Sequence, residues 1–201
     1  MLPPEKLRSA LAKAELVDVR GPWWRAVGFR HLLTAPPGSS GRPQPLWGGA
    51  SARDGARFTP PGGFDSIYLA SDALTAFAEV QVIVFLPGGP ASVAAAPWTL
   101  VAVKGVVHRV LDLTEPKTLA VLGTNAAEIG GDWQLIQHPP THVLAREAFR
   151  SESVSGIRYP SVRNTGVGMN LVVFPDRLTA VSNDFLEVLD PHGHLSQRIG
   201  S

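Results

Sequence analysis

Arg57-Phe-Thr-Pro-Pro-Gly-Gly-Phe-Asp-Ser-Ile-Tyr68-Leu-Ala-Ser-Asp72-Ala-Leu-Thr-Ala-Phe-Ala-Glu79 places a cation, a phenol and a carboxylate on one strand-then-helix unit, with eleven positions from Arg57 to Tyr68 and eleven more to Glu79. Ser66 to Ser71 alternates, so Ile67 and Leu69 share one face of a strand and Tyr68 takes the other. Asp72 then reads as an N-cap, its side chain accepting from the unpaired N–H groups of a first helical turn. Leu74, Phe77 and Ala78 form the inward stripe of that helix, and Glu79 falls near its end.

Outward from this unit the chain reads as helices interspersed with short β-branched runs. Pro3-Pro4 opens a helix over 5–16, and Trp23 to Phe29 reads as a strand. Residues 34–55 are rich in Pro, Gly and Ser and read as a long irregular loop, either a flexible insertion or a cover for a ligand cleft. Val80 to Leu86 has the length and apolarity of a buried strand. Trp98 to Val107 and Val110 to Leu113 read as two strands, with a bend or bulge at Gly105. Short helices are expected over 115–122 and 133–137, and a longer one from Thr141, as its cap, to Phe149. Arg158 to Val162, Asn170 to Phe174 and Leu178 to Val188 are strand candidates, and the polar tail after Pro191 reads as loose. The pattern gives a single α+β domain over 21–190, with an N-terminal extension over 1–20 and a tail over 191–201. Neither GxGxxG nor GxxxxGK[ST] occurs, so any dinucleotide is held without a Rossmann turn.

Composition narrows the function. A net charge of +1 gives no electrostatic case for direct nucleic-acid binding or an anionic membrane. With no cysteine there is no disulfide, thiolate metal site or cysteine nucleophile. No apolar run approaches the roughly 20 residues that span a bilayer, and the reading is a cytoplasmic protein. Of six histidines, His138 and His142 are four apart, but Pro139 and Pro140 break the helix that would align them. No metal site is expected. GxSxG is absent as well, which argues against a serine hydrolase elbow.

The spacing from Trp24-Arg25 through Arg57, Tyr68-Leu69-Ala70 and Glu79 to Pro160-Ser161 and Asn170 resembles the RES domain, over roughly residues 23 to 175. The chain departs from the family pattern at Ala56, where Gly is usual, and at Thr59, where Asn is usual. The resemblance implies an ADP-ribosyltransferase-like fold, a mixed split β-core with surrounding helices and a cleft between its halves. It further implies the toxin of a toxin–antitoxin pair, which destroys NAD by hydrolysis or phosphorolysis. A small helix-turn-helix antitoxin of the Xre type would block the cleft, with a higher-order assembly between the two.

The chemistry gives these residues roles. Breaking the nicotinamide–ribose bond passes through an oxocarbenium-like state with a leaving group that needs little acid assistance. The site must supply a carboxylate for the ribose hydroxyls and growing charge, a cation for the diphosphate, an aromatic surface and an orienting hydroxyl. Glu79, Tyr68 and Ser161 are the expected catalytic set, and Arg25, Arg57, Thr59 and Asn170 the expected NAD-binding set. Each also has an ordinary structural reading: Glu79 as a solvated helix residue, Arg25 as a cation stacked on Trp24, Ser161 as a turn residue. The same residues would serve a protein mono-ADP-ribosyltransferase, and the substitutions at Ala56 and Thr59 would suit a catalytically silent partner-binding module.

Overall fold

The computed structural model describes residues 1–33, 43–93, 97–181 and 183–201. The chain enters through helix α1 (Pro4–Leu11) and strands β1 (Leu16–Arg20) and β2 (Trp23–Gly28). Short helices α2 (Phe29–Leu33) and α3 (Gly49–Asp54) lead to β3 (Ile67–Ala70) and α4 (Ala73–Glu79). A hairpin of β4 (Ile83–Leu86) and β5 (Gly89–Ser92) precedes the long strand β6 (Trp98–Asp112). Helices α5 (Pro116–Val121), α6 (Ala126–Gly130) and α7 (Pro140–Arg150) follow. Then come β7 (Gly156–Pro160), β8 (Met169–Val173), α8 (Pro175–Leu178), β9 (Phe185–Val188) and β10 (Arg198–Gly200).

Strand β6 organises the sheet because its two edges are shared along its length. One edge pairs with β2 over Trp98–Val103 and with β1 over Val106–Leu111, both antiparallel. The other edge pairs antiparallel with β9 over Val103–Val106 and parallel with β7 over Val110–Asp112. From β7 the pairing continues through β8 and β3 back to β2, so the ladder closes on itself. The weakest link in this ring is the single pair Trp24↔Ala70 between β2 and β3. This mixed sheet, with helices packed around it, is the α+β architecture expected from the sequence.

Alternation along the strands sends successive side chains into two cores. Ile67 and Leu69 join Val101, Val103, Leu171 and Val173 in one, whereas Tyr68 faces the other, with Tyr159, Val172, Leu144 and Leu7. Helices α1 and α7 cover this second core, and the Arg8 guanidinium meets the buried Glu147 at 2.5 Å between them. Burial pushes the Glu147 carboxyl up, but Arg8 and Arg150 outweigh it and hold it below its ordinary value.

Several local expectations fail for identifiable reasons. Residues 16–20, placed at a helix end or in an extension, form β1 and fill an edge of β6. Val80 to Leu86 is no buried strand: with both edges of β6 taken, it folds back through Pro87-Gly88 as an outlying hairpin, and Phe85 and Leu86 are exposed. The two strands on either side of His108 are one, with Arg109 in a left-handed conformation at φ 58°. Gly105 lies inside it, where an added Cβ would come within 2.4 Å of the Phe185 carbonyl. Leu178 belongs to α8 rather than a strand, and in the expected loose tail β10 pairs with β9. Within the expected 34–55 loop, residues 49–54 form α3, and residues 34–42 lie outside the described residues. Thr141 sits inside α7 behind a Pro139 cap, and its buried hydroxyl has no hydrogen-bond partner among the described residues.

Candidate active site

Helix α4 holds the central carboxylate. Its start is fixed by Asp72, which accepts from the Thr75 N–H at 2.8 Å and the Thr75 hydroxyl at 2.5 Å. Burial pushes the Asp72 carboxyl upward, but the donors on Thr75 and Ser71 outweigh it and hold it below its ordinary range. The buried face of the helix is Thr75, Ala76 and Ala78, while Leu74, expected inside, is exposed. The small residues let α4 lie close on β2, with Glu79, half-buried, at the C-terminal end of the helix.

There Glu79 Oε1 accepts two hydrogen bonds, from the Ser161 hydroxyl and the Asn170 side-chain amide, each at 2.7 Å. Asn170 and Ser161 are both buried. Asn170 is held between Ala70 of β3 and Tyr159 of β7, its register partners. The Ser161 oxygen also accepts from the backbone N–H groups of Arg163 at 3.1 Å and Asn164 at 2.9 Å. Asn164 in turn donates its side-chain amide to the Thr75 hydroxyl at 2.8 Å. A chain of polar contacts thus runs from Asp72 through Thr75, Asn164 and Ser161 to Glu79. Two donors on one oxygen fix the carboxylate plane, and Oε2 makes no hydrogen bond among the described residues.

Tyr68 and Tyr159 stand beside it. The Tyr68 hydroxyl accepts from the Phe58 N–H at 3.0 Å and pairs with the Thr59 hydroxyl at 2.8 Å. Thr59 is fully buried, so it reaches the site through Tyr68. The Tyr159 ring is tilted against Phe58 at 4.6 Å. Burial raises both phenols above their ordinary value; at Tyr159 the neighbouring Tyr68 and Glu79 add to the rise, and both stay neutral.

Tyr68, Glu79, Val80 and Tyr159 border two adjoining spaces, of about 330 and 820 Å³. The smaller contains Trp24, Arg25, Ala76 and Asn170. Arg25 donates from Nη2 to the Trp47 carbonyl at 2.9 Å, while its buried Nη1 has no partner among the described residues. Burial lowers this guanidinium to about 10, which leaves it a cation at neutral pH. The larger space contains Arg57, Trp133 and Arg163. Arg57 Nη1 donates to the carbonyls of Ile129 at 2.9 Å and Gly131 at 2.8 Å, a cation at the C-terminal end of α6.

The fold therefore joins Glu79, Ser161 and Asn170 directly. Tyr68 and Arg25 border the space that Glu79 and Asn170 share, Arg57 borders the second, and Thr59 stands behind Tyr68. Tyr159 was not singled out from the sequence, although strand alternation puts it on the same face as Ser161. Trp133 and Arg163 carry no local signal, because only the chain path brings them to this cleft. Among the described residues no cluster of His, Asp or Glu could hold a metal ion, and no helix is long and apolar enough to cross a membrane.

The RES domain matches this chain over residues 22–196. Among solved structures, the chain is similar to a chain of the M. tuberculosis MbcT–MbcA toxin–antitoxin complex. The TM-score is 0.65 at 20% identity, over 98% of this chain and 93% of that one. The curated proteins contain no match to it.

Proposed function

Since the chain belongs to the RES-domain family, we propose that it is the toxin of a toxin–antitoxin pair and acts by cleaving the nicotinamide–ribose bond of NAD. The observation that carries this reading is the Glu79 carboxylate, fixed through one oxygen by Ser161 and Asn170 and open at the other, between two spaces that each hold an arginine. Glu79 Oε2 holds the ribose hydroxyls and offsets the positive charge that grows on the ring. The C1′–N bond breaks with its electron pair on nicotinamide, which leaves as a neutral base. The ring carbon then takes an oxygen from water or from hydrogen phosphate, and the proton of that nucleophile passes to solvent.

Tyr68 supplies an aromatic wall, positioned by Thr59, whose hydroxyl offers Tyr68 a hydrogen-bond partner where an amide is usual. Arg25 and Arg57, one in each space, draw in the anionic dinucleotide. Ser161 and Asn170 act on the carboxylate and not on the substrate. This machinery favours an active enzyme over a silent module.

Exposed apolar side chains neighbour residues of the cleft along the chain or in space. Leu135, 84% exposed, and Ile136 follow Trp133; Val167, 73% exposed, lies on the loop of Arg163; Phe85 and Val93 border a hollow beside Arg163. Such surface suits a protein partner, and we assign it to a helix-turn-helix antitoxin that covers the cleft in the cytoplasm.

The deciding experiment incubates purified protein with NAD, with and without phosphate, and reads the products by mass spectrometry. ADP-ribose 1-phosphate only in phosphate means phosphorolysis, and ADP-ribose in both buffers means hydrolysis. Intact NAD in both overturns the reading.

A further inference from the structure

The two spaces beside Glu79 differ in chemistry. The smaller is walled by Trp24, Leu69, Ala70 and Ala76 around one cation, Arg25. The larger holds two cations. Arg163 is exposed, and its guanidinium makes no hydrogen bond or ion pair among the described residues. Arg57 spends only Nη1 on the α6 carbonyls. Two carboxylates face this space: Glu79, and Asp132, whose Oδ1 accepts from the Gln134 N–H at 3.3 Å.

Trp133 stands beside these cations, half-buried, its ring packed against His142 at 5.5 Å with a 49° tilt. The segment that carries it is pinned at Gly131, and the imidazole it packs on is itself fixed. Arg57 holds the Gly131 carbonyl, and the His142 Nε2–H donates to the Ala56 carbonyl at 2.8 Å, next to Arg57 in sequence. An indole held in place and open to a cleft is a stacking platform for a flat heteroaromatic base. Two guanidiniums near it match the two charges of a diphosphate, which they can grip in the forked geometry that lysine lacks.

We propose that the larger space seats the adenosine diphosphate half of the substrate, with Trp133 as the face for adenine and Arg163 joining Arg57 on the diphosphate. The identity of the substrate rests on the cleavage reading above. The direction of the substrate then follows: nicotinamide lies between Trp24 and Ala76, the scissile bond lies at Glu79, and adenine lies at Trp133. The adenosine diphosphate half belongs in the space with two cations and an indole face, which leaves the nicotinamide end to the smaller aromatic-walled space, where the single cation Arg25 is left for the phosphate next to the nicotinamide ribose.

The test is ADP binding to the full-length protein by calorimetry, which does not depend on turnover. Wild type binds ADP. Trp133→Ala and Arg163→Ala each weaken it about tenfold, in the range of one lost base stack or phosphate contact. Trp133→Phe retains most of the affinity, and Leu135→Ala, an exposed neighbour outside the cleft, retains all of it. Melting temperatures of the variants within a degree or two of wild type separate lost contacts from lost fold. No ADP binding by wild type, or equal binding by Trp133→Ala and Arg163→Ala, overturns the proposal. ADP binding with these losses but no NAD breakdown sinks the cleavage reading and leaves the assignment of this space standing. With turnover in hand, Trp133→Ala raises KM for NAD and leaves nicotinamide mononucleotide, which lacks the adenylate half, unaffected.

Discussion

Replacing Glu79 by Gln isolates the charge from the geometry. The glutamine carbonyl oxygen can take the place of Oε1 and still accept from Ser161 and Asn170, both at 2.7 Å in the native protein. What changes is the other arm, where an uncharged NH₂ replaces the open Oε2. Truncation to Ala would be a poorer probe. It strands a buried hydroxyl and a buried amide without an acceptor, at about 1–3 kcal/mol each, and so confuses stability with catalysis. Losing one preorganised electrostatic contact to the developing oxocarbenium costs about 3 kcal/mol, or ~10²–10³ in rate. The expected result for Glu79→Gln is a fall of that size in kcat for nicotinamide release, with a melting temperature close to wild type. Nicotinamide release can be followed by chromatography at saturating NAD. Full turnover by a folded Glu79→Gln protein would refute the role of the carboxylate, and with it the site.

Three further outcomes follow from the same contacts. Ser161→Ala removes a donor to Glu79 and the acceptor for two backbone N–H groups; we expect a loss of about 1–3 kcal/mol in urea unfolding and a kcat effect larger than the KM effect. Thr59→Val keeps the buried shape but deletes one of the two partners of the Tyr68 hydroxyl and leaves it the Phe58 N–H, so stability should fall by about 1 kcal/mol and kcat/KM with it, and an unchanged value of both would show that Thr59 is idle. Asp112 is buried, which pushes its carboxyl up, yet Arg158 and Thr114 outweigh this and hold it below the ordinary value of 3.8. Because the folded form has the lower pKa, this stabilisation is present above about pH 4 and disappears as pH falls through the folded value. Wild type should therefore be more stable than Asp112→Asn at pH 7, with the gap narrowing in acid. A gap constant from pH 7 to 3 would contradict the assignment.

Local physics made part of the site readable before any fold was known. A capping aspartate at position 72 starts a helix wherever the chain goes next, because its oxygen satisfies N–H groups only a few residues away. The alternation of Ile67, Tyr68 and Leu69 likewise sorts these side chains to opposite faces of any strand they form. Tyr68 and Glu79 could accordingly be placed on their elements from sequence, and the spaced residues pointed to the family that matches.

The remainder depended on competition between distant segments. Val80 to Leu86 is apolar enough for a core strand, but the edges of β6 were already occupied by β1, β2, β7 and β9, and an edge can be paired only once. Leu74 has the spacing of an inward residue, yet the close approach of small residues on α4 to β2 turned it to solvent. Ser161 and Asn170 reach Glu79 from 82 and 91 positions away, and Trp133 and Arg163 come to the cleft the same way. By itself the sequence determined the elements that carry Tyr68 and Glu79, since caps and alternation act over a few residues. Only the tertiary structure decided what surrounds the carboxylate, since closing the strand ring selects which remote side chains share one cavity.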